Sequence, residues 1–379
     1  MEHPLKFLFA TCQVGAERAV KDELARDYPD FRFAYSRPGF LTFKLPEGAA
    51  IKDKFRLHSV FARAYGFTLG KAEGASVGER VRSVIALAGE RRFQRLHVWQ
   101  RDTAAPGERG FEPWLTPLSE EIAQAIRSAW PDDDARAAHI ANLAPARPGQ
   151  LVLDCVIVEP DEWWVGFHHA SSVPSRWPGG MKQLPLPADA VARTYLKMEE
   201  ALIWSQLPLT SGDLVAEIGC SPGGASQALL SRGARVIGID PAEVDPVVLA
   251  HPDFTHLRKR GADVRRREFR KVRWLTVDIN QPPGYALDAA EAIVTNREVH
   301  IRGLLLNLKL SDWNLALQVP EYLARIRSWG FADVRARQLQ RSGQEVCVAA
   351  LVQERLRRKG NPASRPRRVK TTPPASPSD

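Results

Sequence analysis

Cysteine is scarce: Cys12, Cys155, Cys220 and Cys347 are the only four in 379 residues, and no two form a C-x-x-C pair. That spacing speaks against a zinc ribbon or a disulfide scaffold and fits a reducing compartment, so a cytoplasmic protein is expected. Long apolar runs are missing too. No stretch approaches the roughly 18 residues a membrane span needs. The short apolar segment Phe7 to Ala10 has no basic flank of the kind that opens a signal peptide, so neither membrane nor export is expected. The chain also lacks the G-x-G-x-x-G dinucleotide loop and the lysine of a P-loop, which speaks against a generic nucleotide-binding domain. Finally, the body carries little net charge. The formal total is +9, but Arg355 to Asp379 alone hold eight Lys and Arg against one Asp. The basic signal is a tail rich in Arg, Pro and Ser. Such a composition buries too little apolar surface to order itself, so residues 356–379 are expected to be disordered and available to phosphates.

What is present suffices for two or three folded domains: 44% of the residues are hydrophobic. Residues 1–75 and 76–170 read as two mixed α/β units. The first runs strand (Leu5 to Cys12), helix (Ala16 to Asp27) and two strands near Phe31 to Tyr35 and Phe40 to Lys44. The second has a strand, Arg95 to Gln100, a helix, Ser119 to Ala129, and a hairpin of Leu151 to Val158 with Trp163 to Phe167. Residues 171–189, rich in Ser, Pro and Gly, read as a linker. Over 190–355 helices and strands alternate. Helix Ala190 to Ser205 precedes strands at Leu214 to Ile218, Arg235 to Ile239, Arg273 to Val277 and Gly303 to Leu308. Helices Ala225 to Ser231, Leu287 to Arg297 and Asn314 to Trp329 lie between or after them. Two β-rich runs, Ala332 to Gln340 and Glu345 to Val352, close the unit. The pattern is that of an α/β, Rossmann-like, doubly wound parallel sheet, with its last short-linked pair antiparallel.

One segment carries ligand chemistry. Glu217-Ile218-Gly219-Cys220-Ser221-Pro222-Gly223-Gly224 leaves an apolar strand and opens a helix, and its small residues would let backbone approach a ligand. Asp240 ends the next strand, where a carboxylate suits a ribose hydroxyl pair. Asp278 ends a third, and Asp263 follows Gly261-Ala262, where it could accept from an adenine amino group. Ligands in open α/β sheets bind at such carboxyl ends of strands. Taken alone, the glycines could mark only a tight turn and the aspartates only helix caps.

Glu-Ile-Gly-Cys-Ser-Pro-Gly-Gly resembles the cofactor loop of the FtsJ-like ribose 2′-O-methyltransferases, whose catalytic set is Lys-Asp-Lys-Glu. The matching residues are Lys197 in Leu196-Lys197-Met198-Glu199-Glu200, Asp278, Lys309 in Asn307-Leu308-Lys309-Leu310, and Glu345 in Gln344-Glu345-Val346. Within that family the stretches at 187–190, 196–200, 307–310 and 336–339 look like the RlmM group, which methylates a cytidine ribose of large-subunit ribosomal RNA. The resemblance is specific over about 187–352. It implies S-adenosyl-L-methionine held by Thr194, Gly219, Ser221, Pro222, Gly223, Gly224, Asp240, Asp263 and Asp278. It also implies that residues 1–75 and 76–170 are an α+β RNA-binding region, ferredoxin-like and then THUMP-like. The partner would be 23S ribosomal RNA, naked or partly assembled, met by a monomer. Cys220-Ser221-Pro222 departs from the family's Ala-Cys-Pro, and Ala225 stands where an aromatic is common.

A ribose hydroxyl is a poor nucleophile near neutral pH, so catalysis needs in-line positioning and help in removing a proton. Lys309 is the candidate. A free lysine titrates at about 10.4, so acting as a base requires a depressed pKa, whereas a charged Lys309 would instead stabilise the developing oxyanion. Read singly, Lys197 with Glu200 could be a helix-surface pair, and Glu345 an exposed strand residue. His168 and His169 read as structural or RNA-facing, because no third ligand is evident, and no metal is expected. The alternatives are a catalytically weak or inactive RNA-binding homologue, a 2′-O-methyltransferase of another RNA, and a methyltransferase of protein or small molecules. The first predicts a missing member of the Lys-Asp-Lys-Glu set, and none is missing.

Overall fold

Among the described residues the strands sort into two seven-stranded sheets. The computed structural model describes residues 5–47, 51–131, 140 and 144–352, so the tail expected at 356–379 lies outside the described residues. The first sheet takes β1 (Phe7–Thr11), β2 (Arg32–Arg37), β3 (Phe40–Lys44), β4 (Ala64–Ala72), β5 (Arg95–Gln100), β6 (Leu151–Glu159) and β7 (Glu162–His169), in the order β2-β3-β1-β4-β7-β6-β5. Residues 1–75 and 76–170 therefore share one sheet, joined where β4 pairs antiparallel with β7. Helices α1 (Glu17–Asp27), α2 (Val77–Ala88) and α3 (Pro117–Ala129) accompany it.

Strand residues alternate between faces. One face buries Leu153, Cys155, Trp163 and Val165 in the same core as Val84 of α2 and Ile126 of α3. On the other, Trp99, Val156 and Val158 pack with Phe9, Phe40 and Met181, the last from the linker. Residues 171–189 are thus not a free tether. Two short 3₁₀ turns, Pro174–Arg176 and Pro178–Gly180, lay part of them against the sheet. Helix α2 and strand β4 escaped the sequence reading. The helix has a start signal, a capping box in which Ser76 and Glu79 satisfy each other's backbone N–H groups.

The second sheet takes β8 (Leu214–Ile218), β9 (Arg235–Ile239), β10 (Phe254–Leu257), β11 (Trp274–Val277), β12 (Gly303–Lys309), β13 (Asp333–Arg337) and β14 (Glu345–Leu351), ordered β10-β9-β8-β11-β12-β14-β13. The five strands from β10 to β12 are parallel, and β14 enters antiparallel between β12 and β13. The chain order reverses direction between β8 and β11, and such a switch point opens a crevice at the carboxyl ends of the strands. Around this sheet lie α4 (Thr194–Ser205), α5 (Gly224–Ser231), α6 (Pro246–Leu249), α7 (Pro283–Val294) and α8 (Val319–Ser328). Three helices differ from the sequence reading. The one read over Leu287 to Arg297 spans Pro283–Val294. The helix read as starting at Ala190 begins at Thr194. The one read over Asn314 to Trp329 is a 3₁₀ turn, Trp313–Gln318, followed by α8, with Pro320 in its first turn.

The two sheets touch through the segment that leads into β14. Gln338 N donates to Val60 O (2.8 Å) and Gln340 Nε2 to Pro113 O (2.6 Å). Arg337 donates to Arg63 O (2.5 Å), and Arg63 itself is held by a buried two-pronged pair with Asp102 (2.6 and 2.7 Å).

Candidate active site

Four charged side chains meet at the carboxyl end of the second sheet. Lys309 and Glu345 face each other as a cross-strand pair of β12 and β14. Asp278 follows β11 directly, its N–H bonded to Ile218 O (3.0 Å), and Lys197 reaches in from α4. Lys197 Nζ lies 2.7 Å from Asp278 Oδ2 and 2.5 Å from Glu345 Oε1. Lys309 Nζ lies 3.3 Å from Asp278 Oδ1 and bonds Glu345 Oε2. The result is a closed ring of alternating charge in which each carboxylate bridges both lysines. Glu345 is the most buried member, at 4% exposure, and Lys309 the most open, at 28%.

Electrostatics follow from this ring. Burial would raise the Asp278 carboxyl, but Lys197 and Lys309 outweigh it and hold the group below its ordinary value. Burial would lower the Lys197 ammonium, but Glu345 and Asp278 outweigh it and raise it, so Lys197 is a fixed cation.

The loop between β8 and α5 approaches this ring. Gly219 has φ +86°, and a Cβ there would lie 2.2 Å from Asp278 O, so only glycine lets the loop close on the end of β11. Gly223 is also left-handed, φ +120°. Gly224 has a different duty from the ligand approach read in the sequence. A Cβ there would lie 2.5 Å from Thr194 Oγ1, so this glycine seats α5 against the start of α4. Ser221 Oγ donates to Glu243 O and Pro222 O accepts from Asp245 N, both at 2.7–2.8 Å, fixing the loop to the segment after β9. Asp240 accepts from Ser221 N (3.2 Å) and Ala242 N (2.9 Å). A carboxylate has about four lone-pair sites, so about two remain for a ligand. Asp263 lies exposed in a 3₁₀ turn, Gly261–Asp263, which packs through Gly261 on Ile218 at the end of β8. Strand β10, absent from the sequence reading, is what carries the chain there. Left-handed glycines and a half-used acidic side chain at the switch point make a cradle that fits S-adenosylmethionine.

Two acidic residues had no assigned role in the sequence reading. Glu217 is buried beneath the loop, where Ser226 Oγ donates to it (2.5 Å). Burial pushes its carboxyl up to about 8, against the Ser226 bond, and the Asp278 and Asp240 charges add to the rise. Glu200 is not a surface partner of Lys197. It accepts from Gln340 N (2.6 Å) and Arg341 N (3.1 Å), pinning the turn that delivers Glu345. Its place in Leu-Lys-x-Glu-Glu was the only available signal. The two histidines separate: His169 bonds exposed Asp53 (3.0 Å), whereas His168 is buried against Asp154 and near His97. A cleft of about 730 Å³ lies away from the ring, between the first sheet and β13 with α8.

A family model of FtsJ-like methyltransferases matches residues 190–315, a span that holds Lys197, Asp278 and Lys309 and ends before Glu345. Proteins named ribosomal RNA large subunit methyltransferase M are similar over most of the chain. The one from Tolumonas auensis is 25% identical over 380 residues, 94% of this chain and 98% of its own. That of Azoarcus sp. is 27% identical over 372 residues, covering 89% and 94%, and that of Xanthomonas axonopodis pv. citri 27% over 364, covering 91% and 99%. Among the described residues no helix is long and apolar enough to cross a membrane. The chain is an S-adenosylmethionine-dependent methyltransferase: residues 190–315 match the FtsJ-like family, and nearly its whole length is similar to the proteins named ribosomal RNA large subunit methyltransferase M.

Proposed function

We propose that this protein methylates a ribose 2′-hydroxyl of RNA, a cytidine of the large-subunit ribosomal RNA, with Lys309 acting on the hydroxyl. The observation that carries this reading is the ring of Lys197, Asp278, Lys309 and Glu345 beside the glycine loop. S-adenosylmethionine supplies an electrophilic methyl group on a cationic sulfonium. Gly219, Ser221, Pro222, Gly223 and Asp240 would hold it, with Thr194 and Gly224 supporting the loop from α4 and Asp263 at the rim.

An ammonium has three N–H donors. Lys309 directs two of them to Asp278 and Glu345, and as the most open member of the ring it keeps the third for an incoming oxygen. A cation held there stabilises negative charge developing on the hydroxyl oxygen. The oxygen gains the methyl group and loses its proton, for which the carboxylates of Asp278 and Glu345 are the acceptors in the ring while both lysines stay charged. Lys197, locked between the same two carboxylates, divides their charge and keeps them from folding over Lys309 entirely. The similarity to large-subunit methyltransferases over the first sheet as well as the second supports residues 1–170 as the part that docks structured RNA. Such recognition usually needs an unpaired, splayed base, so naked or partly assembled RNA is the expected substrate.

The test is to incubate the protein with methyl-labelled cofactor and large-subunit RNA from cells lacking the modification, then digest to nucleosides. Label on a ribose 2′-oxygen of cytidine is expected. Label on a base, or on transfer RNA alone, would contradict the proposal.

A further inference from the structure

His97, Asp154 and His168 come from three neighbouring strands of the first sheet. His97 stands directly opposite Asp154 in the β5–β6 pairing, and His168 lies on β7 beyond it. All three are buried, at 3%, 0% and 7% exposure. One ligand atom from each lies within 4.8 Å of the others.

The hydrogen bonds do not close this cluster. His168 Nδ1 lies 2.6 Å from Asp154 Oδ2. His97 Nδ1, by contrast, is 4.0 Å from Asp154 Oδ1, too far for a hydrogen bond. Both of those atoms are without a hydrogen-bond partner. Leaving a buried donor or acceptor unmet costs about 1–3 kcal/mol, so two that point at each other mark a position meant for a third body.

The surroundings fit a metal. His168 Nε2–H donates to Ser175 O (2.8 Å), which leaves Nδ1 facing Asp154, where a metal would take the place of the Nδ1 proton. Metal-bound histidines are oriented in this way, the far N–H given to a carbonyl. Ser175 is itself fixed, its Oγ accepting from Ser171 N and Ser172 N at 2.9 Å. Arg95, the nearest cation on β5, is turned away to Ala144 O (3.1 Å) and Gln94 O (2.5 Å). His168, Ser171 and Ser175 also line the 730 Å³ cleft, which gives an ion and a solvent ligand their way in.

We propose that His97 Nδ1, Asp154 and His168 Nδ1 form a binding site for a divalent transition metal of the zinc class, with solvent as fourth ligand. Two imidazoles and one carboxylate are a zinc donor set, and bonds of about 2.0–2.2 Å put neighbouring ligands about 3.4 Å apart. The His97 side must draw in by less than about 1 Å and the His168–Asp154 bond must open to reach that spacing. Through the Ser175 carbonyl, the metal ties residues 171–176 to β5, β6 and β7, and so fixes the strap that leads to the second sheet. This site is independent of the methyl-transfer reading.

The test uses the full chain, stripped by dialysis against a chelator. Zn²⁺ titrated in competition with a chromophoric chelator should bind at one equivalent with submicromolar Kd. Co²⁺ should give the intense visible bands of four-coordinate nitrogen and oxygen ligation. His97→Gln and His168→Gln should each weaken Zn²⁺ by more than the 10–100-fold typical of losing an outer contact, with cofactor binding unchanged as the control for folding. Should either variant fail to fold, the wild-type Co²⁺ spectrum decides. A weak six-coordinate spectrum, no stoichiometric Zn²⁺ binding, or equal affinity in folded variants would each overturn the site.

Discussion

The two sheets each hold a cluster of paired charges, built on opposite plans. In the second sheet, Lys197, Asp278, Lys309 and Glu345 close a ring at the open edge of the strands, and every carboxylate has two cations. In the first, Asp154 has one close partner, His168, in the middle of a covered face, with His97 standing 4.0 Å off. The ring is redundant, whereas the pair is not. Redundancy lets a site keep its charges ordered while one of them is engaged in chemistry. A pair with no spare partner is instead a point on which local stability depends.

The largest difference should appear on breaking each cluster once. In metal-free protein, His168→Leu leaves the Asp154 carboxylate buried and unpaired, and should cost about 3–5 kcal/mol at neutral pH in denaturant unfolding. Lys197→Met should cost less, about 1–3 kcal/mol, because Lys309 still bonds both carboxylates. Equal costs would remove the distinction between ring and pair. Next in size, Gly219→Ala forces a side chain into a left-handed backbone and against Asp278 O. It should destabilise by about 1–3 kcal/mol and weaken S-adenosylmethionine in calorimetry. Unchanged affinity would detach the loop from the cofactor.

The clusters should also part company with pH. The Asp278 carboxyl is lowered in the fold, so its contribution is present above its ordinary value of 3.8 and is lost as pH falls through the lower folded value. For His168, burial alone would lower the imidazole, but Asp154 and the Ser175 carbonyl raise it. Its contribution is therefore full below 6.5 and is lost as pH rises through the folded value. Stability differences between wild type and Asp278→Asn should collapse in acid, and those for His168→Gln should shrink in mild alkali. Curves of the same shape would contradict the assignment. The smallest expected effect belongs to the basic tail. Deleting 355–379 should reduce the salt slope of RNA binding by about 0.7 for each phosphate contact it makes.

The two sheets were unequally legible in the sequence. Strands β8, β11 and β12 are buried on both faces, and Leu214 to Ile218, Trp274 to Val277 and Gly303 to Lys309 show it as near-continuous apolar runs. Strand β10, Phe254-Thr255-His256-Leu257, is four residues long at a sheet edge with a polar centre, and gave no such signal. Strand β4 is interrupted by Gly66 and Gly70, where Gly66 lets Phe9 and the β7 backbone come close. The ring's members could be named because each stands in a short stretch resembling the family's. Their closed alternation depends on the β12–β14 register, which the sequence does not show. His97 and Asp154 lie in unrelated stretches and meet only because β5 pairs parallel with β6. No local pattern announces them, which is why a third ligand for His168 could not be seen.

Lys309→Ala under single-turnover conditions tests the central claim most directly, with cofactor affinity measured on the same preparation. If Lys309 serves the hydroxyl, methyl transfer to large-subunit RNA should fall by about 10²–10⁴-fold while S-adenosylmethionine affinity stays within about twofold of wild type. Near-normal transfer, or loss of transfer that merely tracks loss of cofactor binding, would contradict it.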